Sequence, residues 1–164
     1  MKGLDDKDTD IINVHKSRQY ALKLLSYRGR SEKELEERLR KKGFPETVIF
    51  STIQYLRHRG LIDDMSLAES LKREAMSIKL LGYHGARRFM LHRGIPQPIV
   101  DVVLNLYEKE DIENAQKLVD KKLSRLETYP SEKVRRRIYN LLLRKGYSYE
   151  TIKKIMPYKN FKED

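Results

Sequence analysis

The sequence predicts an all-α protein of three tandem three-helix, helix-turn-helix-like modules that form an elongated curved rod. Two observations carry this. A short pattern occurs three times, as Arg40-Lys41-Lys42-Gly43-Phe44-Pro45, His92-Arg93-Gly94-Ile95-Pro96 and Arg144-Lys145-Gly146-Tyr147-Ser148. Each copy holds a basic helix end, a glycine, an apolar residue and a helix starter, and the glycines at 43, 94 and 146 lie 51 and 52 residues apart. Around them the apolar positions also recur: Leu35, Ala86 and Ile138; Leu39, Met90 and Leu142; Ile49, Val100 and Ile152; Ile53, Leu104 and Met156. A period near 50 residues is the signature of stacked modules. No segment alternates apolar and polar residues with period two over a β-branched run, so strands are not expected.

The elements follow in order. The first helix is predicted from about Ile11 to Tyr27, with Tyr20, Leu24 and Tyr27 on one stripe, and Gly29 is read as the left-handed residue that ends it. Ser31-Glu32-Lys33-Glu34 reads as a capping box, the serine accepting from the amide three residues on and Glu34 reaching back. A second helix then runs from Glu32 to Lys42 and stops at Gly43. Pro45 suits the first position of a third helix, which runs to about Arg59 and stops at Gly60. In the second module Asp63 or Asp64 caps a helix to about Lys79; further helices follow Gly82 and Pro96. In the third, Asp111 caps a helix to about Leu126, the chain breaks at Tyr129-Pro130, a helix spans Ser131 to Lys145, and the last begins near Ser148 and fades by Pro157. The expected organisation is an acidic flexible start (1–10), modules at 11–60, 61–109 and 110–158, and a flexible tail (159–164). A unit this small buries little apolar surface alone, so neighbours should stabilise one another.

Lys and Arg number 35 against 24 acidic residues, a net charge of +11, which points to an anionic partner. With no cysteine, disulfides, thiolate nucleophiles and Cys-based zinc sites are excluded. No apolar run reaches the length of a membrane span and no leader-like segment opens the chain, so a cytoplasmic location is expected. No HExxH, phosphate loop or Gly-x-Ser-x-Gly element occurs, and His15, His58, His84 and His92 read as surface residues. Asp63-Asp64 reads as a cap rather than a metal site. The expectation is a protein that is not an enzyme and has no cofactor or metal.

The basic residues cluster on the second helix of each module: Arg38, Arg40, Lys41 and Lys42; Arg87, Arg88 and Arg93; Lys133, Arg135, Arg136, Arg137, Arg144 and Lys145. If equivalent positions of stacked repeats line up, these form a track for a phosphate backbone or a row of acidic groups. In the first module Glu32, Glu34, Glu36 and Glu37 nearly balance the charge, and the residues there also read as complements of the helix dipole. The third module has only Glu132 within its basic run. Tyr139, Tyr147 and Tyr149 stand near that run, Tyr147 in a core column.

Arg30-Ser31-Glu32-Lys33-Glu34-Leu35 leading through Leu39 to Gly43-Phe44, then Leu56, Gly60-Leu61-Ile62-Asp63-Asp64 and Ala68, is similar to the RecX family of bacterial regulators of the RecA recombinase. Gly82 through Met90 to Arg93-Gly94-Ile95, and Arg144-Lys145-Gly146-Tyr147 with Ile152, extend the resemblance over roughly Ala21 to Met156. Leu67 stands where an aromatic is usual, a core exchange, and His84 where a basic residue is common, which would soften one contact. The resemblance implies a three-module helical protein that lodges in the groove of the RecA–DNA filament and restrains strand exchange and coprotease activity in the SOS response. Separately, the basic residues lie on the helix before the one that would read bases, which predicts weak, sequence-independent contact with DNA; no membrane partner is expected, and a monomer is the default. The competing reading is a stand-alone tandem helix-turn-helix DNA-binding protein, for which the third helix offers only Glu46, Thr47 and Ser51 to base edges.

Overall fold

Short polar breaks and helix-stopping glycines cut the chain into helices. The structure, a computed structural model, describes residues 6–105, 108–125 and 130–156. Among these are nine α-helices and no strand: α1 (Asp6–Tyr27), α2 (Glu32–Lys41), α3 (Glu46–His58), α4 (Asp64–Arg73), α5 (Tyr83–His92), α6 (Gln97–Val103), α7 (Glu108–Leu123), α8 (Ser131–Lys145) and α9 (Tyr149–Ile155). A π-helical turn, Glu74–Ile78, follows α4.

The repeat columns are the core. Leu35, Ala86 and Ile138, and likewise Leu39, Met90 and Leu142, are fully buried. Ile49, Val100 and Ile152 are buried, as are Ile53 and Leu104. Ile95 and Tyr147 after the second and third glycines are also buried, whereas Phe44 and Met156 are half-buried.

Local signals place most boundaries, and five details differ from expectation. α1 begins at Asp6, five residues before Ile11; an aspartate-rich stretch suits a helix start because that end of the dipole is positive. Gly29 is not left-handed: the positive-φ glycines are Gly43, Gly60, Gly94 and Gly146. A Cβ on Gly29 would stand 3.1 Å from Leu67 Cδ1, a close approach to a side-chain end. The capping box is half made, since Ser31 Oγ accepts from the Glu34 amide at 3.1 Å while the Glu34 carboxylate turns to Arg28 and Arg93. Pro45 is the N-cap of α3 rather than its first residue. Asp63 caps α4 through the amides of Met65 and Ser66, but Asp111 lies inside the first turn of α7, which starts at Glu108. The expected break at Tyr129-Pro130 falls partly outside the described residues.

The described residues form two compact units, 6–68 with 93–99 and 69–92 with 100–156. In the first, Ala21, Leu35, Leu39, Ile49, Ile53, Leu56 and Ile62 make a continuous apolar core. In the second, Ala115, Leu118, Val119, Val134, Ile138, Leu141, Leu142, Tyr147, Ile152 and Ile155 do the same.

Each unit contains a joint built on a repeat glycine. In the first, Ser31 Oγ donates to the Arg93 carbonyl at 2.8 Å. A Cβ on Gly94 would meet Ser31 Oγ at 2.5 Å. Asp64 accepts the first amide of α2, from Glu32, at 3.0 Å. In the second, the Gly82 and His84 amides donate to the carbonyls of Lys145 and Gly146, each at 3.1 Å. A Cβ on Gly85 would overlap the Lys145 carbonyl oxygen. Asp111 accepts the first amide of α5, from Tyr83, at 2.9 Å. The turn after one module's second helix thus seats on the start of the preceding module's second helix, and an aspartate from the next module's first helix caps that start. A buried amide without an acceptor is destabilising, so the acidic cap and the close backbone approach belong to one device.

Candidate functional site

The cationic residues picked out by the sequence are sorted by these joints into two populations. Arg93 and Lys145 lie seven residues after Ala86 and Ile138, on the buried stripe of their helices, and both turn inward. Arg93 donates to the Glu34 carboxylate at 3.1 Å and to the Gly29 carbonyl at 2.9 Å. Burial alone would raise the Glu34 pKa, but hydrogen bonds from Arg28 and Arg93 outweigh it and hold the carboxyl below its ordinary value. Lys145 Nζ donates to the Lys79 carbonyl at 2.7 Å. Burial, then the charges of Arg144 and Lys79, lower its pKa.

Two more cations have acidic partners. Arg40 makes a two-pronged contact with Glu46, at 2.5 and 3.0 Å, and Arg87 reaches Asp101 at 3.4 Å. On α2 the basic residues Lys33, Arg38, Arg40 and Lys41 equal Glu32, Glu34, Glu36 and Glu37 in number, so the helix is neutral. Lys42, the C-cap of α2, stands 5.7 Å from the centre of the Tyr20 ring. Arg38, Lys41 and Arg88 are exposed.

Helix α8 is different. It carries six basic residues and one acidic, a net +5. Val134, Ile138, Leu141 and Leu142 bury one face. Lys133, Arg136, Arg137 and Arg144, with Asn140, recur at spacings of three, four and seven and therefore share the opposite face. All of them are exposed. Arg135 is exposed on another flank. Lys133, Arg135, Arg136 and Arg144 have no ion pair among the described residues. Beside this helix Tyr149 is exposed, Tyr139 is half-buried and Tyr147 is core, its hydroxyl donating to the Leu80 carbonyl at 3.1 Å. Burial, then the Asp111 charge, raises the Tyr147 pKa, so the phenol stays neutral.

Such a face presents a concentration of fixed positive charge. Among the described residues no three His, Asp or Glu side chains converge as a metal site. No described helix is long and apolar enough to cross a membrane. The spacing of Arg93 and Lys145 within the buried stripe is a signal by which the sequence could have separated them from the exposed cations.

Fold and face together define a protein of helical modules with an exposed cationic helix. The family comparisons are specific: residues 18–56 match RecX, first three-helix domain, and residues 108–156 match RecX, third three-helix domain. The chain is 30% identical to the RecX of Lactobacillus salivarius, whose crystal structure superposes with a TM-score of 0.77 over 90% of this chain and 96% of that one. It is 33% identical to the regulatory protein RecX of Staphylococcus saprophyticus, covering 99% of this chain and 62% of that protein. It is 29% identical to the one from Clostridium botulinum, covering 95% of this chain and 72% of that protein. The chain belongs to the RecX family of regulatory proteins.

Proposed function

We propose that the chain is a non-catalytic regulator that binds the RecA–DNA filament and mainly inhibits recombinase and coprotease activity, in DNA repair and control of the SOS response. The observation that carries the reading is the exposed cationic face of α8, on which Lys133, Arg136 and Arg144 have no ion pair among the described residues, joined to membership in a family of regulators. The exposed residues Arg38, Lys41, Lys42, Arg88, Lys133, Arg135, Arg136, Arg137 and Arg144 face phosphate or acidic protein groups of the polymer, while Arg93 and Lys145 hold the joints between modules. Modest contacts on one chain add as avidity when several subunits are engaged together. Contact with naked DNA is then weak, sequence-independent and steeply salt-dependent. The protein works in the cytoplasm as a monomer.

Reversing Lys133, Arg136 and Arg144 to glutamate tests this. The variant should keep its helicity and lose inhibition of RecA-dependent ATP hydrolysis; full inhibitory potency would overturn the proposal. The stand-alone DNA-reader alternative has less support, because Glu46 at the start of α3 is paired with Arg40 and no cation from that helix start is offered to base edges.

A further inference from the structure

A second cationic site lies in the first unit, along the seam of α1 and α3. The buried hydroxyls of Ser17 and Thr52 meet at 2.9 Å and pin the two helices. One residue on in α1 and one turn on in α3, the Arg18 guanidinium lies 4.0 Å from the centre of the Tyr55 ring. Arg59 stands 5.5 Å from the same centre. Arg18 Nε is buried and has no hydrogen-bond partner among the described residues. These side chains border an open groove of ≈ 680 Å³ that Ser51, Gln54, Arg57 and His58 complete. Among the described residues no carboxylate lines it, and the charge of Arg57 is taken up by Glu32.

Two guanidinium groups on one aromatic ring repel each other, and a buried N–H without an acceptor is unfavourable. A ligand with several acceptor oxygens and negative charge relieves the repulsion through the terminal guanidinium N–H groups, while the buried Nε–H beside them reports on its arrival. Phosphate is such a ligand, since its oxygens match the guanidinium fork. The groove is open and far larger than a lone oxyanion, so a ligand can carry a phosphate in and continue beyond. We propose that this groove binds a phosphodiester of single-stranded nucleic acid, with Arg18 and Arg59 donating to its non-bridging oxygens. The site lies in a different unit from α8, and the proposal stands independently of the one made for that helix.

The test is direct observation of arginine Nε–H groups by NMR in the full chain, titrated with a short oligodeoxythymidylate. The Arg18 Nε–H resonance should shift on binding, and should do so equally in the variant with Lys133, Arg136 and Arg144 reversed, which separates this site from the α8 face. Arg18→Gln with Arg59→Gln should weaken oligonucleotide binding about tenfold, as expected for losing charge-assisted contacts. It should also lower the slope of log affinity against log salt by ~1.4, or ~0.7 per phosphate contact. Arg59 is exposed, so Arg59→Gln alone tests the site in an intact fold and should lower the slope by ~0.7. An Arg18 resonance unmoved at saturating oligonucleotide overturns the proposal. So does equal saturation by inorganic pyrophosphate, which would make the ligand a free phosphate anion, or preferential binding of poly-glutamate, which would make it an acidic protein segment.

Discussion

Asp111 accepts the main-chain N–H of Tyr83 at 2.9 Å, across 28 residues of sequence, and its second oxygen accepts the Thr151 hydroxyl at 3.1 Å. One carboxylate thus ties α7 to the start of α5 and the start of α9. Asp64 does the equivalent for Glu32 in the other unit. Replacing Asp111 by alanine should cost ~1–3 kcal/mol in urea unfolding, the sum of a lost helix cap and a stranded hydroxyl. Asparagine keeps one acceptor and should cost less.

The same residue gives the protein an acid-sensitive term. Burial, only partly offset by the hydrogen bonds from Tyr83 and Thr151, raises the Asp111 pKa from 3.8. A raised carboxyl pKa means that the fold favours the protonated form. Its contribution is therefore greatest below pH 3.8, declines as pH rises through the raised value, and stays low at neutrality. Glu34 runs the other way: its pKa is below 4.5, so its contribution is complete above pH 4.5 and disappears as pH falls through the depressed value. Acidification from neutrality to pH 4.5 should stabilise the wild type relative to Asp111→Asn. Below pH 4.5 the advantage of wild type over Glu34→Gln should shrink. Urea titrations at a series of pH values would check both signs.

Gly85 and Gly43 offer a paired test of the joint. A methyl on Gly85 would collide with the Lys145 backbone, whereas one on Gly43 meets nothing within 4 Å and is opposed only by the residue's φ of +91°. Gly85→Ala should cost more than ~2 kcal/mol, because backbone cannot give way as a side chain can. Gly43→Ala should cost about 1–2 kcal/mol, the penalty for a left-handed alanine. Thermal melts of the two variants would separate packing from backbone conformation.

Lys145 and Arg144 are adjacent cations, the first bonded to the Lys79 carbonyl and the second exposed. Lys145→Met should lower stability by ~1 kcal/mol through loss of its hydrogen bond to the Lys79 carbonyl. Arg144→Met should leave stability within ~0.5 kcal/mol and weaken binding to anionic polymer. Measuring melting temperature and oligonucleotide affinity for both variants decides this, and the reverse pattern would contradict the division into joint and face.

Helix content and module period were legible because their causes are local. Gly43, Gly94 and Gly146 adopt left-handed φ where a helix must stop, and the columns through Leu39, Met90 and Leu142 are buried where a stripe faces inward. Gly29 misled because a stop and a close approach leave the same letter in the chain. Asp111 misled because a cap three residues into α7 serves α5. The partners of Arg93 and Lys145 lie some 60 residues away, so periodicity reveals an inward direction but not the acceptor. Arg18 and Tyr55 carry no shared signal at all, since each reads locally as an ordinary helical residue.

The sequence by itself determined most helix boundaries, that the unit recurs, which apolar columns are inside, and that the protein carries excess positive charge. Those properties depend on dihedral preference, capping and hydrophobic spacing within a turn or two of chain. Only the tertiary structure decided which aspartates cap distant helices, which cations are held at joints, and which remain on the α8 face or beside Tyr55. A charged side chain is spent or available according to the acceptor beside it, and packing brings that acceptor from elsewhere in the chain.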